Sequence, residues 1–316
     1  MSQTIGVVLT TYNGEKFIEE QIESILGQTL PPDALVVVDD NSQDSTSEIL
    51  ERYSRTDKRI KIYRNEHKLG WIKNFEKGIS LCDADYIALS DQDDIWVPYK
   101  LEKCVEKMVS HPGCGLCYHD AWLMYEDGTR LDLTLWQVND PHYPLGRPEA
   151  QELLLGTMAP LSGFTIILEN RLKELILPFP GYKCCGHDWW ISAVSFFLFN
   201  PVCIETPLVC HRVHFGQAVG DPIIKLKKTK YALKKKILDR ERIKKNIRRE
   251  IYRAFHRKEV LARRREDERS RREEFASAIQ KLMDLINAFD AENNTENKRN
   301  LLKKMLGYRE KLLSGA

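Results

Sequence analysis

The segment Ser90-Asp91-Gln92-Asp93-Asp94-Ile95-Trp96-Val97-Pro98 sets three carboxylates within four positions, directly after an apolar run. Carboxylates crowded this closely repel one another, and a cation relieves the repulsion. Hard oxygen ligands of this kind suit Mg2+ or Mn2+, which in turn binds a diphosphate. Taken alone, the run has a plainer explanation as a solvated acidic turn, or as the cap of a helix through Leu101 and Val105. Two further polar clusters, Thr10-Thr11-Tyr12-Asn13-Gly14 and Asp39-Asp40-Asn41-Ser42, also follow apolar runs.

Those runs are the elements that must position the chemistry. Ile5 to Leu9, Leu35 to Val38, Ile60 to Tyr63 and Tyr86 to Leu89 are short, apolar and rich in branched residues, as strands covered on both faces are. Between them lie helical patterns: Phe17, Ile18, Ile22, Ile25 and Leu26; then Ile49, Leu50 and Tyr53; then Phe75 and Ile79 after a loop at Leu69-Gly70-Trp71. This alternation predicts βαβ units and a mostly parallel sheet, an α/β fold. In open sheets of this type ligands bind just beyond the carboxyl ends of the strands. The three polar clusters fall at those ends, so they are expected to share one cleft.

After Gly220 the character changes. From Ile223 to about Leu261 the chain is helical in pattern and strongly basic, with Ile243, Ile247, Ile251 and Phe255 at four-residue spacing. Ser270-Arg271-Arg272-Glu273 has capping-box spacing and opens a helix through Phe275, Ile279, Leu282 and Ile286; a last helix spans Leu301 to Leu313. The expected organisation is a catalytic domain over 1–220 and a basic C-terminal helical module over 221–316. No internal repeat is visible.

The net charge of +2 over 316 residues hides a strong asymmetry, because Lys225 to Arg272 carries 22 Lys and Arg against 7 Asp and Glu. The rest of the chain is acidic, and such an asymmetry asks for a negatively charged partner. An anionic membrane surface is the expected one for 225–272, each exposed cation near it contributing about 1 kcal/mol before screening. Solvated helix faces packed on the catalytic domain or on another subunit of an oligomer are the alternative. Nucleic acid is not expected, since the segment has few aromatics and matches no nucleic-acid-binding motif. The start of the chain lacks the pattern of a signal peptide, and the longest apolar run, Ile191 to Ile204, is too short to span a bilayer. A cytoplasmic protein, peripheral on the inner face of the membrane, is therefore expected. Eight cysteines are expected as free thiols. Cys114-x-x-Cys117 with His119, and Cys184-Cys185 with His187, each resemble half a zinc site without a second half, so ordinary buried thiols are the expectation.

Taken together, Leu9-Thr10-Thr11-Tyr12-Asn13-Gly14-Glu15, Val38-Asp39-Asp40-Asn41-Ser42 and Asp91-Gln92-Asp93-Asp94-Ile95-Trp96 resemble family-2 glycosyltransferases of GT-A fold. Bacterial rhamnosyltransferase-like members carry both the pattern seen here from Asp91 to Leu101 and the later His187-Asp188-Trp189-Trp190. The resemblance covers about residues 4–220. It implies a nucleoside pocket lined by Thr10, Tyr12 and Asp40, with Asp40 accepting a hydrogen bond from a pyrimidine ring N–H and with Thr11 and Asn13 alongside. It implies that Asp91 and Asp93 form the D-x-D motif with Asp93 the more direct ligand of Mn2+ or Mg2+, that His214 completes the metal shell, and that Asp188 is the general base. The chain departs at Gly216-Gln217, where related sequences often have two asparagines.

Other positions carry two readings each. Gln92, Ser162, Gly163 and Trp189 are expected near the donor sugar or acceptor. For Ser162-Gly163, before an expected strand Phe164 to Leu168, the alternative is a plain turn. For Trp189, core packing is the alternative. Asn74, with Gly70, can border the nucleotide or pack the loop. His211 is expected to be structural.

The resulting expectation is an inverting transferase moving a sugar from a nucleoside-diphosphate donor, with dTDP-L-rhamnose the first choice and a UDP-hexose the second, to a hydroxyl of a polysaccharide or lipid-linked glycan. A sugar-1-phosphate nucleotidyltransferase would show a Gly-rich, basic phosphate loop after the first strand, and Thr10 to Gly14 is not one. A non-catalytic sugar-nucleotide-binding module would not need Asp91, Asp93, Asp188 and His214 together.

Overall fold

The computed structural model describes residues 3–139, 161–179 and 186–214. The 220/221 boundary, the module over 221–316 with its basic segment 225–272, Cys184-Cys185 and Gly216-Gln217 lie outside the described residues.

The first part alternates as its sequence pattern requires: β1 (Ile5–Thr11), α1 (Ile18–Leu26), β2 (Ala34–Asp39), α2 (Thr46–Thr56), β3 (Ile60–Arg64), α3 (Trp71–Leu81) and β4 (Tyr86–Ser90). Then follow β5 (Ile95–Trp96), α4 (Lys100–Val109), β6 (Leu116–His119), β7 (Trp122–Tyr125), β8 (Arg130–Thr134) and α5 (Leu135–Asn139). After the gap come a 3-10 turn (Gly163–Thr165), β9 (Ile166–Glu169), α6 (Asn170–Ile176), α7 (His187–Leu198), β10 (Val202–Ile204) and β11 (Val209–Val213). The expected strand from Phe164 begins two residues late, because Thr165 folds back and donates both its N–H and its hydroxyl to the Ser162 carbonyl, at 2.9 and 2.7 Å.

Seven strands form the main sheet in the order β10-β6-β9-β4-β1-β2-β3. The β1/β2, β2/β3, β1/β4 and β6/β10 pairs are parallel, while β9 runs antiparallel to its neighbours β4 and β6. The mostly parallel α/β sheet expected from the sequence is present. A smaller sheet, β5-β11-β7-β8, closes one end.

The strands are apolar throughout because both faces are covered. Val8, Val36, Val38, Ile87 and Leu89 meet Phe75 and Ile79 of α3 and Trp190, Ile191 and Val194 of α7. The alternate residues Val7, Leu9, Leu35 and Val37 meet Ile18, Ile22, Ile25, Leu50 and Leu101 on the other side. Each aliphatic side chain so buried contributes roughly 1.5–3 kcal/mol. The chain passes from β1 outward to β3, then returns to place β4 on the opposite side of β1. The reversal opens a crevice beyond the carboxyl ends of β1 and β4, the place where such sheets bind ligands. Among the described residues no helix is long and apolar enough to cross a membrane.

Candidate active site

The β1 and β4 tips are stitched together by one side chain. Gln92 Oε1 accepts from the Thr11 hydroxyl at 2.7 Å and from the Tyr12 N–H at 2.8 Å. Gln92 thus fixes the first loop to the acidic loop, and its amide oxygen is already engaged. Asn13 adopts φ 48° and Asn41 φ 64°, left-handed conformations that Asn tolerates better than most residues. These turns let Asn13 N donate to Ser42 Oγ at 2.9 Å and Gln43 N donate to Asn13 Oδ1 at 2.9 Å, joining the β1 and β2 tips. Thr10 remains buried in the ladder opposite Val38.

Asp40 is also buried. Its Oδ1 accepts from Asn65 Nδ2 at 2.9 Å and Leu69 N at 2.7 Å, and its Oδ2 accepts from Gly70 N at 2.8 Å. Three of about four carboxylate acceptor positions are therefore spent on the β3–α3 loop. Asn74 is buried in the same network, its Oδ1 accepting from Asn65 Nδ2 at 2.7 Å, which is the loop-packing arrangement. Over the face of Tyr12 stands Lys68, its Nζ 3.3 Å from the ring centroid, a contact the sequence did not signal.

On the far side of the crevice, β11 brings the late histidines to the acidic loop. His214 Nε2 lies 2.8 Å from Asp93 Oδ2, and His211 Nδ1 lies 2.8 Å from Asp94 Oδ1. Burial alone would pull the His211 imidazole down, but the Asp94 carboxylate beside it, with Asp93 and Asp91, holds its pKa above the ordinary value. Between the two histidines, Arg212 is buried and points inward. Its Nε donates to the Asp93 carbonyl at 3.0 Å, one terminal nitrogen to the Glu126 carbonyl at 2.8 Å and the other to Glu20 Oε2 at 2.7 Å. The Asp91 carboxyl is pushed well above the usual carboxylate range, first by burial, then by Asp94 and Asp93, with Asp188 adding to them against His211. Asp188 thus lies near enough for its charge to bear on Asp91. Asp94 Oδ2 is buried without a hydrogen-bond partner among the described residues.

Asp188 stands in the first turn of α7, where the helix terminus favours a negative charge. Its Oδ1 accepts from Trp189 N at 2.7 Å. Two glycines leave room for the start of α7. A Cβ on Gly163 would lie 2.3 Å from His187 Nε2, and one on Gly186 would lie 2.3 Å from Asp188 Oδ1. Gly163 thus serves helix packing, and Ser162 carries the turn before β9. Trp189 is only 8% exposed and Trp190 3%, both in the core layer, with Trp190 Nε1 donating to the Ile176 carbonyl at 2.8 Å. Trp189 therefore offers no open face to a sugar.

Lys100, at the start of α4, links the two halves. It is fully buried, its Nζ donating to the Phe164 carbonyl at 2.8 Å and lying 3.4 Å from the Trp96 ring centroid. Burial pushes its pKa down to about 7. The Phe164 ring in turn stacks on His211, 4.4 Å between centroids and 8° between planes. One run of contacts thus joins acidic loop, β11 and the turn that abuts His187. The sequence assigned no role to Arg212, Lys100 or Lys68, although Lys100 lies within the pattern from Asp91 to Leu101. Cys114 and Cys117 are free and buried, and His119 Nδ1 is spent on the Asp120 carbonyl at 2.7 Å. Among the described residues no three His, Cys, Asp or Glu groups form a ready-made cation shell.

A parallel sheet with acid-bearing strand tips at its switch point, closed by an antiparallel strand and a smaller sheet, defines an α/β protein of GT-A fold. The chain superposes on the S. aureus TarS 1-349 structure in complex with UDP-GlcNAc with a TM-score of 0.53, at 20% identity over 68% of this chain and 60% of that one. Residues 6–150 match the profile described as Glycosyl transferase family 2. TuaG of Bacillus subtilis, provisionally named a teichuronic acid biosynthesis glycosyltransferase, is 34% identical over 128 residues, 40% of this chain and 50% of TuaG. The glycosyltransferase GlyG of Streptococcus pneumoniae serotype 4 is 37% identical over 95 residues, 30% of this chain and 32% of GlyG. The chain thus spans half or less of the length of these curated relatives.

Proposed function

We propose that this protein is an inverting glycosyltransferase that moves a sugar from a nucleoside-diphosphate donor to an acceptor hydroxyl. The geometry that supports this reading is the acidic loop beyond β4, with His214 brought to 2.8 Å from Asp93, together with Asp188 in the first turn of α7. A carboxylate opposite a diphosphate site can take the proton from the acceptor hydroxyl as that oxygen attacks the anomeric carbon. The attack comes from the face opposite the departing nucleoside diphosphate, so a single displacement inverts the configuration. A two-step route through a glycosyl-enzyme would need a second carboxylate as nucleophile.

The residues present suit a divalent cation by donor chemistry. Asp91 and Asp93 offer hard oxygens, His214 an imidazole, and the raised Asp91 carboxyl together with the orphaned Asp94 Oδ2 marks excess negative charge. Asp91, Asp93 and His214 would hold Mn2+ or Mg2+, which when bound offsets the charge growing on the leaving diphosphate. The chain's own part is orientation. Gln92 and the Asn13–Ser42 contacts fix the loops that face the nucleotide, Asp40 holds the β3–α3 loop against them, and Arg212 fixes the backbone at Asp93. The resemblance favours dTDP-L-rhamnose as donor; a uridine diphosphate sugar is the second reading, favoured by the UDP-GlcNAc complex of TarS. The acceptor is a glycan or lipid-linked glycan, and the basic segment 225–272 would bring the site to an anionic membrane from the cytoplasmic side.

Thermal-shift measurements with UDP, dTDP and their sugars test this directly. At a ligand concentration 100 times its dissociation constant, the folded state gains about 2.7 kcal/mol, equivalent to an upward shift of roughly 5–10 °C for a domain of this size. The shift is expected with Mn2+ and largely absent with chelator. No shift with any nucleotide would remove the donor assignment.

Gly186→Ala separates orientation from stability. The added methyl collides with the movable Asp188 carboxylate and the Trp71 ring edge, not with backbone. The melting temperature should fall by less than about 4 °C. Turnover should fall by on the order of 10²-fold, since displacing a reacting group by about 1 Å has that effect. Unchanged turnover would show that Asp188 need not hold this position.

A further inference from the structure

The opening of α3 leaves a large aromatic surface uncovered at the edge of the site. Trp71 is 37% exposed and its neighbour Leu69 41% exposed, while Trp189 and Trp190 lie in the core. The position of Trp71 is set from behind. Its ring meets His187 edge-on at 5.4 Å and 72°, and His187 is stacked on Phe75 at 3.9 Å and 19°. His187 is buried, and neither of its ring nitrogens has a hydrogen-bond partner among the described residues. Burial pushes its pKa down to about 3, so it serves here as a neutral, flat spacer. The backbone just before Trp71 is held as well, because Leu69 N and Gly70 N both donate to Asp40.

The indole edge and the carboxylate of Asp188 both lie against Gly186. A Cβ on Gly186 would sit 2.9 Å from Trp71 Cη2 and 2.3 Å from Asp188 Oδ1. An exposed aromatic face beside a carboxylate matches one kind of ligand: a ring with an apolar C–H face and a rim of hydroxyls. The flat surface takes the C–H face, and the carboxylate, an acceptor only, takes a hydroxyl proton.

We propose that Trp71 is the platform on which a pyranose ring lies beside Asp188. This rests on the transferase reading above, in which two pyranoses enter the site, one carried by the donor and one presented by the acceptor. The shared chemistry is the sugar ring, and binding measurements distinguish its source.

Wild type, Trp71→Ala and Trp71→Phe are titrated by calorimetry, all with Mn2+. One arm uses the methyl glycosides of the common hexoses, N-acetylhexosamines and 6-deoxyhexoses. The other compares UDP and dTDP with their sugar conjugates. Trp71→Ala should weaken one arm about tenfold while Trp71→Phe recovers most of it. Loss in the first arm alone assigns the platform to the acceptor. Loss for the conjugates, with the bare nucleotides unaffected, assigns it to the donor sugar. The proposal is overturned if neither arm changes, or if no methyl glycoside binds and no conjugate binds more tightly than its nucleotide in the wild type. Failure of the transferase reading looks different: no nucleotide binds the wild type at all, and the glycoside arm is still read on its own.

Discussion

Asp188→Asn should reduce the turnover number for sugar transfer by about 10³-fold, within the span removed with a general base, while affinity for the nucleotide donor stays within about threefold. The asparagine keeps the shape and can keep the contact to Trp189 N, so α7 should start where it does now. What it removes is the proton acceptor and one negative charge. The Asp91 carboxyl, raised by burial and by Asp94, Asp93 and Asp188, is relieved of the last of these, so binding of a cation and diphosphate has no reason to collapse. The measurement is single-turnover transfer alongside donor titration, with the melting temperature as a fold control. An unchanged turnover number would remove Asp188 as the base; parallel loss of transfer and donor binding would make it a ligand-holding residue instead.

Arg212→Met should be the most destabilising single change in the site. Arg212 is 1% exposed and its guanidinium binds the Asp93 carbonyl, the Glu126 carbonyl and Glu20, thereby joining the acidic loop, the β7–β8 turn and α1; it also lies 4.6 Å from the Phe17 ring centroid. Methionine fills the volume but supplies no donor. The cost falls mainly on the two carbonyls, since a hydrogen bond from a charged donor contributes about 1.5–3 kcal/mol and buried acceptors left without one lose it fully. The Glu20 side chain is 52% exposed and stays solvated, so its share is small. For the two carbonyls together a loss of about 3–6 kcal/mol follows, lowering the melting temperature by roughly 10 °C. Glu20→Gln, by the same reasoning, should change it little. Should Arg212→Met melt with the wild type, the hub role of the guanidinium would be wrong.

How much of this was legible beforehand varies with the range of the interaction. The four strands and three helices of the first half follow from apolar runs and helical spacing, signals that local sequence carries. Their polar tips were readable as a cleft because a parallel sheet places all its carboxyl ends on one side. The strands nonetheless run one or two residues further than the apolar pattern suggests. Thr10, Thr11, Asp39 and Ser90 stay in the sheet, since a ladder hydrogen bond does not depend on side-chain polarity. The partners of individual side chains were not readable. Nothing near Asp40 in the sequence shows that its carboxylate binds the backbone at Leu69 and Gly70, and nothing near Gln92 shows that it binds Thr11 and Tyr12.

The sequence by itself determined the fold class, the match of residues 6–150 to the Glycosyl transferase family 2 profile and the identity of the acids and histidine from which a site would be built. Tertiary structure alone decided which of them meet: that His214 reaches Asp93 across the length of the domain, that Asp188 bears on Asp91, that Trp189 is core while Trp71 is open. The physical reason is range. Backbone periodicity is set by neighbours within a turn or a strand, whereas a buried charge or an exposed ring is defined by atoms brought to it from distant parts of the chain.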